Sequence, residues 1–270
     1  MAIIPDHYLN AVVSIGIGDK GPIRWIGTGF FVTRSIEDPT RGKPYLVSNK
    51  HVFGSCDKVV IRMKESGKDS LKNMTADLVD NTGKPLFLTH DQDDVDIAVL
   101  PLNADVINNN NLEFPCFNID EQAMSSSELR DNGVDEGSII YMLGFPMGLV
   151  NQKSNLPLCR LGCIARMSET QINEEHNILV DIQNFPGNSG SPIILRPEFI
   201  SVNKTKSLNK SVLVGIIHSY IPYRENLINS QTGQVVEIKS ENSGIANVHP
   251  VEYIREIIDK VQPKIIQKNQ

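Results

Sequence analysis

Short apolar runs separated by turn formers dominate the first 220 residues: AVVSIGI, GTGFFV, PYLVSN, KVVIRM, DIAVLPL, SIIYMLGF, CRLGCIARM, NILVDIQ, SPIIL and SVLVGIIHSY. This spacing, with Gly, Pro, Asn and Asp between runs, predicts an all-β barrel or sandwich and argues against βαβ units. No repeat of solenoid type recurs along the chain. Between Val106 and Gly137 the pattern weakens, and the polar tract EQAMSSSELRDNGVDEG predicts surface loops or a connection between two halves. A second irregular stretch, from Pro222 to Ser243, predicts a long loop. The end differs: HPVEYIREIIDKVQPKI places Ile254, Ile257, Ile258 and Val261 on one stripe of an amphipathic helix. Pro250 suits its first turn and Pro263 its end. The expected task of this helix is to cover a barrel.

Composition narrows the classes. A chain of 270 residues with 40% hydrophobic content can bury a sizeable core. Its formal charge of −6 gives nucleic-acid binding no support. The start, MAIIPDHYLNAVVSIGIG, lacks a basic n-region, and Asp6 and His7 stand where a secretory signal needs an apolar run. The stretch from Ser138 to Val150 is broken by Gly144, Pro146 and Gly148, well short of the ~18 residues that a membrane span needs. Cys56, Cys116, Cys159 and Cys163 are too few and too scattered for a disulfide scaffold. A reduced, cytoplasmic protein is expected. Cys159 and Cys163, four apart with no histidine nearby, make a poor zinc motif and read as buried free thiols; no metal or cofactor and no membrane partner is expected.

Candidate chemistry sits in FPGNSGSP, residues 185 to 192, where Ser189 stands in a turn of glycine, asparagine and proline. Such a turn is ordinary loop chemistry, or it presents a nucleophile beside bare N–H groups. YLVSNKHVF carries His51 after an apolar strand, and DQDDVDIAVLPL carries Asp96 before another. His51, Asp96 and Ser189 stand 45 and 93 residues apart, the order and separations of chymotrypsin's triad.

On these residues the chain resembles the trypsin-like (chymotrypsin-fold) serine peptidases, from about Ala11 to Ile258. SNKHVF is similar to the histidine signature of bacterial glutamyl endopeptidases, DIAVL to the aspartate strand and PGNSGSP to the nucleophile motif. LGFP, VGIIHSY and SGIANVHPVEYI match further segments, and Asp181 falls where HtrA-type relatives carry an aspartate. The resemblance implies two Greek-key six-stranded β-barrels with a C-terminal amphipathic α-helix. The N-terminal barrel would span 1–120, a connection 121–137, the C-terminal barrel 138–248 and the helix 249–270.

The resemblance also implies roles. Ser189 would be the nucleophile, His51 its base and Asp96 the carboxylate orienting that base, with Gly187 and Ser189 N–H groups as the oxyanion hole. Asp94 is the rival to Asp96, while Asp91, Asp93 and Asp94 otherwise read as solvated. The specificity pocket would use Ile182 and Gln183 as its floor, with walls from His218, Ser219, Tyr220 and Gly244 to Ala246. Neutral Gln183 argues against a preference for basic side chains. His218 would either read an acidic substrate residue or pack beside Asp96. His7, His90, His176 and His249 show no partner pattern and read as solvated or capping. Where trypsin-type zymogens carry an aspartate before the serine, this chain has Asn188, which cannot make the activating ion pair. The expected protein is a serine endopeptidase acting on polypeptides, either constitutively folded or controlled by another device. One such role is a bacterial effector in stress or defence, held by a regulatory protein partner. The alternative is a peptide-binding module on the same fold that does not cut.

Overall fold

The computed structural model describes residues 4–18, 21–34, 43–54, 56–151, 153–198 and 207–263. Two β-units follow one another. The first holds β1 (Val12–Ile17), β2 (Arg24–Arg34), β3 (Lys43–Ser48), β4 (Lys58–Lys64), β5 (Leu71–Asp77), β6 (Leu88–Thr89) and β7 (Ala98–Pro101). Their sheet order is β5-β4-β1-β2-β3-β7-β6, with β8 (Phe117–Asn118) lying parallel to β2. The second holds β9 (Ile139–Gly144), β10 (Leu158–Arg166), β11 (Ile178–Asp181), β12 (Pro192–Leu195), β13 (Val212–Ile228) and β14 (Val235–Pro250). These close into a six-stranded barrel in the order β10-β11-β14-β13-β12-β9. Among the described residues only this second unit closes by hydrogen bonds; the first carries eight strands where six were expected.

A hydrophobic core joins the units. It combines Phe30, Val47 and Val99 of the first with Phe145, Ile194 and Ile216 of the second. The C-terminal helix, α6 (Val251–Asp259), adds Ile254, Ile257 and Ile258, all fully buried, so it seals the seam rather than one barrel. Burying each such side chain contributes roughly 1.5–3 kcal/mol. Arg255 fastens the helix by donating to the carbonyls of Ile119 and Ala123. Val261 lies beyond the helix and is exposed, because the stripe ends with the last turn. The part of the expected helix at 264–270 lies outside the described residues.

Two irregular stretches are ordered. The first opens on α3 (Ala104–Asn109), which starts two residues before it and is capped by Asn103, and contains α4 (Ser126–Asp131), whose Ser125 and Glu128 form a reciprocal capping box. The second is not a loop. Strands β13 and β14 continue through Tyr223–Ile228 and Val235–Glu241 as a two-stranded hairpin. Side chains on both of its faces are exposed, so the sequence shows none of the in–out alternation that marks a half-buried strand. Among the described residues no helix is long and apolar enough to cross a membrane.

Candidate active site

The end of β3 sets His51. Asn49 is extended and starts a short helix, α2 (Lys50–Phe53), whose Val52 and Phe53 are buried. That anchoring leaves the His51 side chain half exposed, at 51%. Pairing of Ser48 with Ala98 brings the start of β7, and with it Asp96, alongside. Val95 and Ile97 on either side of Asp96 are fully buried, which fixes the backbone there. His51 Nδ1 lies 2.5 Å from Asp96 Oδ2, and the His51 N–H donates to Oδ1 at 3.1 Å. Asn49 Nδ2 donates to the Asp96 carbonyl at 2.8 Å. Burial works to raise the Asp96 carboxyl, but the hydrogen bonds from His51 and the electrostatic attraction of that ring outweigh it and hold the group below its ordinary value. The carboxylate is therefore ionised and committed to His51.

The Ser189 segment is two successive turns. Asn188 N–H donates to the Phe185 carbonyl and Ser191 N–H to the Asn188 carbonyl, with Gly187 at φ 97° and Gly190 at φ 87° in their third positions. That left-handed geometry favours glycine. A Cβ on Gly187 would lie 2.4 Å from the Phe145 carbonyl oxygen, and one on Gly190 2.0 Å from that of Thr28. The Pro186 carbonyl accepts the Met147 N–H at 2.5 Å. In a trans peptide the next N–H points the opposite way, so this bond aims the Gly187 N–H away from Met147. Among the described residues neither the Gly187 nor the Ser189 N–H has a hydrogen-bond partner.

Strand β2 carries the two halves to one place. Thr28 N–H donates to the Ser189 carbonyl at 2.9 Å. A Cβ on Gly27 would touch both Val52, next to His51, and the Ser189 carbonyl oxygen. Ser48 Oγ donates to the Thr28 carbonyl, against which Gly190 packs. The segment from Ser48 to Val52 that carries His51 and the turn that carries Ser189 therefore flank the same two residues of β2. The Ser189 hydroxyl makes no hydrogen bond among the described residues, so the structure joins His51 to Asp96 but not to Ser189. Catalytic hydrogen bonds are often long before substrate binds.

The expected pocket residues gather at one end of the barrel. Ser219 pairs with Asn247 and Tyr220 with Ala246. Gly244 adopts φ 87°, and its Cβ position lies 3.4 Å from Gln183 Nε2. Asn184 is buried and donates to the Ser219 carbonyl. The His218 ring turns inward: it stacks on His249 at 3.9 Å and bonds Asn177 Oδ1 at 2.7 Å.

Four other histidines have partners that the sequence did not disclose. His249 is 1% exposed, and its Nε2 accepts the Asp96 N–H at 3.0 Å, so it is neither solvated nor a cap. His176 ends α5 (Glu169–Glu175) in a left-handed conformation and lies 2.6 Å from Asp94. His90 pairs with Glu256 at 2.8 Å, and His7 with Gln122. Asp94 and Asp91 are largely exposed yet paired, with His176 and Lys260. Thr28, Asn49 and Met147 also escaped the sequence reading; the only available signal was Thr28 between two glycines and Asn49 two residues before His51.

Two linked β-units, one a closed barrel, with a histidine–aspartate pair and a glycine-flanked serine turn brought together against β2, fit the chymotrypsin-like all-β class. The family model of the trypsin-like peptidase domain matches residues 27–197, well over half of the chain. The chain belongs to that family. The matched span includes His51, Asp96 and Ser189 and ends before β13. No curated protein matches the chain.

Proposed function

We propose that this protein is a serine endopeptidase, its two units a pair of Greek-key barrels with the reaction at their seam. Ser189 Oγ attacks the peptide carbonyl while His51 Nε2 takes its proton and later returns it to the leaving amine. Asp96 holds the imidazole in the Nδ1–H tautomer and stabilises the imidazolium. The N–H groups of Gly187 and Ser189 receive the developing oxyanion, a donor arrangement worth ~2.7–4 kcal/mol per bond in comparable sites. The observation that carries this reading is the Asp96 carboxyl set on His51 Nδ1, with the Ser189 turn docked on Thr28 of β2. Gln183, Ser219, Tyr220 and Gly244 would line the substrate-binding cleft with the His218 backbone. Neutral Gln183 would give a basic side chain no ion pair.

Kinship with the HtrA-type and glutamyl-endopeptidase-type members remains part of this proposal, carried by the motif likeness alone. So does control by a partner protein inside the cell, in stress or defence. It is supported by uncharged Asn188, buried directly before the nucleophile, which offers no charge for an activating ion pair. The test is labelling by a serine-directed fluorophosphonate, together with cleavage of a peptide library, for wild type and Ser189→Ala. Wild type should label and cleave and the variant do neither. Equal cleavage by both proteins would remove Ser189 from the reaction. Binding of library peptides without labelling or cleavage would favour a non-cutting module.

A further inference from the structure

The proposed reaction requires Asp96 to meet His51 in one orientation, and that depends on how the Asp96 peptide is fixed. The first unit holds its carbonyl through Asn49 Nδ2 at 2.8 Å. The second unit holds its N–H: the donor lies 3.0 Å from Nε2 of His249, 153 residues further along the chain on β14. A peptide N–H only donates and a carbonyl only accepts. His249 Nε2 must therefore be unprotonated, and Nδ1, 2.8 Å from the His176 carbonyl, must carry the hydrogen. The hydrogen bonds thus demand a neutral ring of one tautomer.

The ring is also clamped in its plane. His218 stacks on it at 3.9 Å with the planes 6° apart. Asn177 Nδ2 donates to the Glu175 carbonyl at 2.6 Å, which leaves Oδ1 to accept the Nε2–H of His218 at 2.7 Å. Tyr253 of α6 stands nearly perpendicular to His249, with ring centroids 6.3 Å apart. The charged and titratable groups facing this pair are Asp96 and, beyond it, His51, then Asp94 and its partner His176. An aliphatic side chain could fill the same space, but it would leave the Asp96 N–H unpaired in the interior.

We infer that His249, braced by His218, is a positioning residue: a buried neutral imidazole through which the second unit sets the place of the Asp96 carboxylate. The inference deepens the proposed peptidase reading and rests on it for its consequence in catalysis. Without the acceptor, the Asp96 peptide shifts, the carboxylate leaves His51, and the imidazolium of the reaction loses its counter-charge.

The test compares His249→Gln, whose amide oxygen can still accept, with His249→Leu, which cannot. Misplacements of this kind cost on the order of 100-fold, so His249→Leu should lose about that in kcat with KM changed by less than about twofold. The acid limb of its kcat/KM profile should move to lower pH, and His249→Gln should recover most of both. A second readout is independent of turnover: the far-downfield proton resonance of His51 Nδ1–H on Asp96. It should persist in His249→Gln and vanish in folded His249→Leu. The inference is overturned if His249→Leu keeps wild-type kcat, acid limb and resonance whatever its melting temperature. If His249→Leu does not fold, loss of the resonance in folded His249→Gln overturns it and its retention supports it. Failure of the Ser189→Ala test would sink the peptidase reading while leaving the resonance, and so this seat, separately readable.

Discussion

Thr28 holds Gly187 from across the seam: its Oγ1 donates to the Gly187 carbonyl at 2.7 Å and accepts the Phe145 N–H at 3.1 Å. One buried hydroxyl thereby links β2 to the segment after β9 and to the turn that carries Ser189. Thr28→Val keeps the shape but leaves a buried carbonyl and a buried N–H unpaired, at about 1–3 kcal/mol each. We expect Thr28→Val to be destabilised by about 2–6 kcal/mol and to lose activity beyond what unfolding explains. Thr28→Ser should stay close to wild type. Urea titrations of the three proteins decide it; an unchanged midpoint for Thr28→Val would remove the hydroxyl from the account.

Gly187 admits no side chain. At φ 97° an added Cβ is strained, and it would sit 2.4 Å from the Phe145 carbonyl oxygen. Relief requires rotating the Pro186–Gly187 peptide, which breaks the Met147 bond and re-aims the Gly187 N–H. Gly187→Ala should therefore lose about 100- to 1,000-fold in kcat, the usual penalty for one oxyanion donor. Steady-state kinetics on a cleavable reporter measure it. A folded Gly187→Ala enzyme with wild-type kcat would show that this N–H is not a donor in the reaction.

How far the sequence disclosed this site depends on the kind of interaction. His51, Asp96 and Ser189 could be singled out because the proposed chemistry requires particular residue types at strand ends and in a glycine turn. The His51–Asp96 contact followed from strand pairing of Ser48 with Ala98. Thr28 and His249 were not legible, because each acts through a hydrogen bond to a backbone group, and backbone groups leave no trace in sequence. His249 meets Asp96 only because β14 closes the second barrel against the first unit, a contact 153 residues long. The hairpin arms failed for the opposite reason: strands exposed on both faces have no periodic pattern to read.

The buried histidine pair should make stability pH-dependent. Burial pushes His249 down to about 4, against the hydrogen bond to the His176 carbonyl and the Asp96 and Asp94 charges. It pushes His218 down to about 3, with His249 adding to the effect and Asp96 opposing it. In the unfolded chain each ring takes a proton near 6.5. Between those values the unfolded state binds more protons, so stability falls as pH drops from about 6.5 toward 4, by up to about 1.4 kcal/mol per pH unit per ring. Urea midpoints at pH 4.5, 5.5 and 7 should show this slope in wild type. The double variant His218→Asn, His249→Gln should have a shallower one; equal slopes would refute the assignment.

The hairpin beyond Pro222 contributes little to the fold. Tyr223, Ile228, Val236 and Ile238 are more than half exposed, and no side chain from Tyr223 to Glu241 enters a core cluster. Its own support is the strand ladder and cross-strand pairs such as Glu225 opposite Lys239. A two-stranded ribbon on such terms is marginally stable, and its apolar edges invite pairing with other chains. Replacing 223–241 by an Asn-Gly turn between the paired residues Pro222 and Asn242 should keep the register that places Tyr220 beside Ala246. The melting temperature should then move by less than about 4 °C, the equivalent of about 1 kcal/mol, and the truncated protein should aggregate less on heating. A fall of more than about 10 °C in calorimetry would mean several kcal/mol reside in the arms, and the ribbon would then be a structural part of the second barrel.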